Sequence, residues 1–496
     1  MHQEGIGSWP ARRARRTPHR TALIHDGAPV SYAALHAHTT HVARTLRLHG
    51  VRKGDRVAYL GPNRPAFVAS LFATGLLGAV FVPLNTRLTP AELTHQLTDC
   101  GARVLLRSGS VHGGADWGDL AAIDVDDISP TPPADEAAAH ETPPTEPPDV
   151  PTAPDDPCLI LYTSGTTGRP KGAVLTHANL TWNAVNVLID EDLTSHEVAL
   201  IAAPLYHAAA LGMQALPVLL KGGTCVLMDS FDAGAALEAV ERHRVTSVFG
   251  VPTMFRRIAA HPRWHEADLS CLRTLVCGGA PVPEALVGTY ARRGLVLRRG
   301  YGLTEAAPGV LLTHDGPAGV PHLFTDVRVA RHGAAADATT EETGELLVRG
   351  PNVMAGYWNR PRESEAAFAD GWLRTGDVAR LAADGGVTVV DRVKEVIISG
   401  GENVYPSEVE HALLAHPGVA ECAVIPVPDA EWGEVGRAVL VAAPGVALDA
   451  DEVLASLAGR LAAYKIPRSA VIATALPHSA TGKAARQHIK DRYGSA

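Results

Sequence analysis

Short apolar runs alternate with amphipathic stretches along most of the chain. Ser31 can cap a helix whose stripe is Leu35, Val42 and Leu46, and Gly50 is placed to stop it. Residues 56–60 then read as a strand, 65–77 as a helix and 79–82 as the next strand; 91–100 and 103–106 repeat the unit. Strand and helix in alternation predict an α/β fold with a parallel, doubly wound sheet. Further strands are expected at 199–202, 223–228, 247–249 and 274–277. Beyond about Pro317 the pattern shifts to short strands with turns, including 344–349 and 386–390, as in a small barrel-like β-layer. Past residue 391, Ser407 can cap a helix bearing Val409, Ala412 and Leu413, with Glu410 completing a capping box. Strands at 423–425, 438–441 and 470–472 and a helix at 451–461 make up a small α+β unit. The expected division is 1–391 for a large domain and 392–496 for a small one.

With 496 residues the chain exceeds what one core usually holds, which supports that division. A formal charge of −9 without a lysine-rich tract argues against nucleic acid or an anionic membrane as main partner. Six cysteines, Cys100, Cys158, Cys225, Cys271, Cys277 and Cys422, show neither metal-ligand nor disulfide spacing, so a cytoplasmic location is expected. The arginine-rich residues 11–16 are followed by no apolar region and are interrupted by Thr17-Pro18, which predicts a solvated basic helix rather than a transit peptide. The longest apolar run, 68–84, contains Ser70, Thr74, Gly75 and Gly78 and reads as a buried helix passing into a strand, not a membrane span. Residues 129–157 are proline-rich and acidic, and are expected to form a linker or surface excursion.

That excursion leads to residues 163–171, Thr-Ser-Gly-Thr-Thr-Gly-Arg-Pro-Lys, between two strand-like runs. Gly165 and Gly168 let backbone approach a ligand, Ser164, Thr166 and Thr167 offer donors, and Lys171 offers a compact charge, which together suit a polyphosphate. Pro170 before the lysine and Gly172 after it exclude a Walker A loop. A polar hairpin with a surface lysine is the plain alternative. Composition shifts the balance, because the chain has only seven lysines, Lys53, Lys171, Lys221, Lys394, Lys465, Lys483 and Lys490, among 44 basic residues. Lys171, Lys394 and Lys483 stand out as positions where an ammonium serves and a guanidinium does not.

Further blocks follow in order: Pro204-Leu-Tyr-His207, Tyr301-Gly-Leu-Thr-Glu305, Arg374-Thr-Gly-Asp377, Asp391-Arg-Val-Lys394 and Pro477-His-Ser-Ala-Thr-Gly-Lys483. With residues 163–171 they make six, and over essentially its whole length the chain resembles the adenylate-forming superfamily of acyl-CoA synthetases, luciferases and adenylation domains. His478 departs from the basic residue that many members carry.

The resemblance implies a two-step ligase that uses ATP, Mg²⁺ and coenzyme A with a small carboxylic acid. Thr163, Ser164, Gly165, Thr166, Thr167, Gly168 and Lys171 would hold the β- and γ-phosphates. Glu305 would ligate Mg²⁺ and Thr304 would contact the α-phosphate. Asp377 and Arg392 would hold the ribose, and Tyr301 with Gly302 would face adenine opposite Gly279, Ala280 and Pro281. Lys483 would bridge the attacking carboxylate and the nucleotide. His207 would gate the acyl site, which Ala208, Ala209, Met213, Gly250, Val251, Cys277, Gly278, Gly302 and Ala306 would line. Those residues are small or apolar and lack a cation, which disfavours a second substrate carboxylate and leaves a hydrophobic monocarboxylic acid, fatty or aryl-alkenyl.

For the thiol step, the resemblance makes Lys394 the hinge about which the small domain swings. Gly400, Gly401 and Glu402 would line a pantetheine tunnel. The alternative acceptor is a separate carrier-protein thiol or an amine, and a monomer or homodimer is expected. A rival of another class is a nucleotide-binding module without turnover, against which stands the presence of every expected charged position.

Overall fold

A computed structural model of the chain describes residues 5–111, 117–128, 150–164, 170–279, 282, 284–314, 318–331, 337–340, 342–392, 397–404, 406–477 and 486–495. The chain divides into two compact units. One comprises Met1–Thr86, Leu97–Leu161 and Gly172–Val390, and the other Arg87–Gln96, Tyr162–Lys171 and Asp391–Ala496.

In the larger unit the expected alternation is realised. Ser31 Oγ accepts from the Ala34 amide at 3.1 Å and starts the helix Tyr32–Leu48, which buries Leu35, Val42 and Leu46. Gly50, just beyond, takes a φ of +78°, as a helix stop requires. The helix Pro65–Leu76 is apolar all round because it is buried all round. Strand Arg56–Leu60 runs parallel to Val80–Leu84 on one side and Ala102–Arg107 on the other. Tyr59, Phe67 and Phe81 meet edge to face between these layers, at 5.0 and 5.3 Å.

Among the described residues the strands form four sheets. In the one that carries most candidate residues, Gly309–Leu312, Leu297–Gly302, Thr274–Gly278, Ser247–Gly250, Val198–Ile201 and Thr224–Leu227 are successive neighbours. From Leu297–Gly302 through Thr224–Leu227 the pairs are parallel. A third sheet, antiparallel, is built on Asp326–Ala330, Thr343–Arg349 and Trp372–Leu381 and matches the expected β-layer.

The smaller unit holds a sheet in which Val419–Asp429 and Gly433–Ala442 pair antiparallel and Ser469–Ala473 joins parallel. Its helix Pro406–Leu414 differs from the expectation: Pro406 is its first residue and Ser407 lies inside it. Proline without a donor is suited to that position. The Ser407 side chain lies outside the described residues, and Glu410 Oε1 accepts from the Val424 amide at 2.8 Å, which ties helix to strand. The helix expected at 451–461 is only Ala450–Ala455, opened by Asp449 and followed by Gly459 at φ +76°.

Of the proline-rich stretch, residues 129–149 lie outside the described residues, while its end is packed. Thr152 is buried and accepts from Gly5 N, and Lys53 donates to Pro151 O and pairs with Asp156 at 2.6 Å. Among the described residues no helix is long and apolar enough to cross a membrane.

Candidate active site

Side chains at the carboxyl ends of neighbouring parallel strands converge, and in a doubly wound sheet that edge is where ligands bind. Register places Gly250 opposite Cys277 and Gly278 opposite Gly300, so Gly250, Val251, Cys277, Gly278, Gly279, Tyr301 and Gly302 leave adjacent strand ends together. His207 and its neighbour Tyr206 follow strand Val198–Ile201, their rings 4.8 Å apart. His207 then leads into Ala208 and Ala209 and a π-helical turn, Leu211–Ala215, that contains Met213. Such turns recur at functional sites because they widen a helix locally.

This segment is packed against the loop that carries Thr304 and Glu305. Asn183 donates from Nδ2 to Gly212 O at 2.8 Å and accepts from Gly309 N at 2.9 Å. Thr304, Glu305 and Ala306 form one 3₁₀ turn. Gly302 permits the fold-back, since a Cβ there would lie 1.8 Å from Pro308 O. Met354 N donates to Glu305 O at 2.8 Å, and Asn352 Nδ2 donates to Ala306 O and Gly309 O, both at 2.9 Å. Tyr357 donates its hydroxyl hydrogen to Glu305 Oε1 at 2.9 Å. No cluster of three or more His, Cys, Asp or Glu that could cage a metal exists among the described residues. A single oriented carboxylate fits Mg²⁺, which takes one or two carboxylates and fills its shell with water and phosphate oxygens.

Asp377 is aimed by a bulge. On strand Trp372–Leu381 three residues, 375–377, oppose the single Leu346, so the strand kinks there. Thr375 donates to Leu346 O and accepts from Asp377 N, with Gly376 at φ +71° between them. Asp377 is 2% exposed and accepts from the Tyr301 hydroxyl at 2.6 Å. Cys277 lies deep in its strand, and burial pushes its thiol up to about 12, with Arg299 opposing. A thiol so raised stays protonated at neutral pH, which does not suit a nucleophile.

In the smaller unit, Thr163 and Lys171 flank the candidate phosphate loop, and the Thr163 hydroxyl donates to Lys171 O at 3.4 Å. Gly400 and Gly401 make the turn of a hairpin between Ile397–Ser399 and Glu402–Val404, with φ of +58° and +85°. The room beside Gly400 is taken by the Trp432 ring, which a Cβ would meet at 2.2 Å. Glu402 is 4% exposed and pairs with Arg87 at 3.1 Å. Arg87, Ser399, Trp432, Tyr464 and Arg468 face a cavity of about 280 Å³, and the Arg468 guanidinium stands 5.3 Å over the Trp432 ring. Two guanidiniums and two aromatic faces in one cavity suit a phosphorylated nucleotide. Sequence reasoning missed these five residues, although it marked Gly400, Gly401 and Glu402 directly after Ser399.

Gly165, Thr166, Thr167, Gly168, Ala280, Pro281, Lys394 and Lys483 lie outside the described residues, as do the side chains of Ser164 and Arg392.

The AMP-binding enzyme family model matches residues 10–358, and the model of the AMP-binding enzyme C-terminal domain matches 408–483. The chain is 54% identical to a feruloyl-CoA synthase from Amycolatopsis, covering 100% of both chains. It is 39% identical to indoleacetate–CoA ligase from Aromatoleum aromaticum, covering 98% of this chain and 97% of that one. Among solved structures it resembles a double mutant of o-succinylbenzoate CoA synthetase from Bacillus subtilis bound with a product analogue, with a TM-score of 0.88 at 34% identity over 99% of each chain. It also resembles an amide bond synthetase from Marinactinospora thermotolerans, with a TM-score of 0.86 at 28% identity over 98% of this chain and 99% of that one. Family models and full-length relatives together place this chain in the AMP-binding enzyme family, among the AMP-forming acyl-CoA ligases of the adenylate-forming superfamily.

Proposed function

We propose that the acid this ligase activates is an aromatic monocarboxylic acid of the cinnamic type, and that its acceptor is CoA. The observation that carries the substrate is the full-length likeness to feruloyl-CoA synthase, with that to indoleacetate–CoA ligase beside it. The candidate acyl positions agree: Ala208, Met213, Cys277 and Ala306 are buried, and none carries a charge that a second substrate carboxylate would require.

In the first step a carboxylate oxygen of the acid attacks the α-phosphorus of ATP, and the bond to pyrophosphate breaks. Asp377 accepts from the ribose hydroxyls and Tyr301 offers its ring to adenine. Thr304 donates to the α-phosphate, and Thr163 and Lys171 hold the outer phosphates through donors and charge. Glu305 would hold Mg²⁺, which would supply positive charge toward the phosphate oxygens. Lys483 is assigned to the developing charge between acid and nucleotide, and Lys394 to the hinge at the 391/392 division, both on the resemblance. In the second step the CoA sulfur attacks the acyl carbonyl carbon and AMP leaves with the electron pair.

The cavity lined by Arg87, Trp432, Tyr464 and Arg468 supports CoA, because its nucleotide end carries the phosphates and purine such a lining recognises. A carrier-protein thiol or an amine is the second reading, favoured by the likeness to the amide bond synthetase. A cytoplasmic setting is in keeping with the free state of all six cysteines. Pyrophosphate release measured with ferulic, indoleacetic and dodecanoic acids tests the substrate. The ferulic acid rate should lead in kcat/KM, and preference for dodecanoic acid would overturn the reading.

A further inference from the structure

We infer that Tyr357 is a positioning residue for Glu305: its hydroxyl sets the carboxylate in the orientation that receives a divalent cation. The inference rests on Glu305 being the metal ligand, as proposed above.

The geometry begins with how firmly Tyr357 itself is held. Gly356–Tyr357 is a two-residue strand paired antiparallel to Pro170–Thr176, with Gly356 opposite Val174 and Tyr357 opposite Ala173. Ala355 N donates to Val174 O at 3.0 Å and Trp358 N to Gly172 O at 2.8 Å, extending the pairing on both sides. Ser364 Oγ accepts from Tyr357 N at 2.8 Å. Gly356, at φ +141°, allows the approach, since a Cβ there would lie 2.9 Å from Ser364 Oγ. The ring packs against the main core, so the phenol has little freedom to leave.

The same segment grips backbone carbonyls at and beside the Glu305 turn with three hydrogen bonds, from Met354 N to Glu305 O and from the Asn352 side-chain amide to Ala306 O and Gly309 O. Backbone and side chain of Glu305 are therefore both fixed from one short stretch, residues 352–357. That stretch is registered on Gly172–Val174, and the residue before Gly172 in the chain is Lys171. A metal carboxylate and the exit strand of the phosphate loop thus share one splint. The phenol reaches one carboxylate oxygen, Oε1, and a cation needs only one of the two. Packing does not require the hydroxyl, because phenylalanine would fill the same volume. Its bond to Glu305 is a contact that phenylalanine would lose. Hydrogen bonds of this outer kind orient metal ligands, and losing one commonly weakens metal affinity by roughly tenfold or more.

The test uses the full-length chain with Mn²⁺ as the probe, followed by electron paramagnetic resonance in the presence of α,β-methylene-ATP so that no turnover occurs. Tyr357→Phe should weaken Mn²⁺ binding by roughly tenfold. In pyrophosphate assays the Mg²⁺ concentration for half-maximal rate should rise by a similar factor, with kcat at saturating Mg²⁺ restored to within about twofold of the parent. In a Glu305→Gln background the same change should have no further effect on Mn²⁺ binding, because the coupled partner is gone. If Tyr357→Phe leaves Mn²⁺ binding unchanged while Glu305→Gln weakens it, the inference fails and the ligand assignment stands. If Glu305→Gln itself leaves Mn²⁺ binding unchanged, the ligand assignment fails and takes the inference with it. A Tyr357→Phe chain that does not fold would contradict the claim that phenylalanine meets the packing needs of the site; Tyr357→His then reports on Mn²⁺ binding in its place, with the same outcomes.

Discussion

Tyr301 donates its phenolic hydrogen to Oδ2 of Asp377 at 2.6 Å, joining the end of a parallel strand to a bulge in the antiparallel layer. The bond sets the residues proposed for adenine and ribose against each other, which would leave less ordering for nucleotide binding. Tyr301→Phe keeps the aromatic face and removes the donor. The KM for ATP should rise by about tenfold, as expected for a hydrogen bond to a charged group, while the KM for CoA stays within twofold in steady-state thioester assays.

Substitution of Trp432 tests whether its cavity serves the proposed thiol step alone. Trp432→Ala removes an aromatic face from the 280 Å³ cavity, and stacking contacts of this kind are worth about 1–3 kcal/mol per base. The KM for CoA should rise roughly tenfold or more, and pyrophosphate release without CoA should be unchanged. An equal loss in both assays would remove the cavity from the thiol step.

Lys465 is 5% exposed and places Nζ 2.9 Å from Glu92 Oε1 and 2.8 Å from Glu408 Oε1. Burial opposes its charge, but the two carboxylates outweigh that and hold the ammonium above its ordinary value. Lys465→Met leaves the buried Glu408 and the partly buried Glu92 without their cation and should cost about 3–5 kcal/mol of stability. Adding Glu408→Gln should recover part of that loss in urea unfolding curves.

Two buried groups give stability a bounded pH range. Burial pushes Glu191 up to about 8, so its contribution is full below the ordinary carboxylate range and is lost as pH rises through 8. Burial lowers His177 to about 4, and its Nδ1 accepts from Ile6 N. The neutral ring's contribution is present above the ordinary histidine value and is lost as pH falls toward 4. Unfolding free energy should peak between these flanks. Glu191→Gln should flatten the alkaline flank alone.

How far the sequence carried the account follows the kind of signal each residue leaves. Ser31 and its helix, the strands of the parallel sheets and the Tyr301–Glu305 and Arg374–Asp377 blocks are local in sequence, so pattern and motif reach them. Tyr357 on Glu305 and Glu92 on Lys465 are contacts across 52 and 373 residues, and no periodicity encodes them. Trp432 reads as an ordinary aromatic beside a strand until its cavity is seen. Lys465 did leave a trace, as one of seven lysines, but the motifs drew attention to Lys171, Lys394 and Lys483 instead. The helix that the pattern starts at Ser407 begins one residue earlier, at Pro406.

The most direct measurement supplies the enzyme with α-phosphorus-labelled ATP and ferulic acid, quenches a single turnover, and follows the label before and after CoA is added. The account predicts labelled acyl-adenylate with one equivalent of pyrophosphate, converted by CoA into labelled AMP and unlabelled thioester. Labelled ADP with release of inorganic phosphate, and no adenylate at any time, would contradict it.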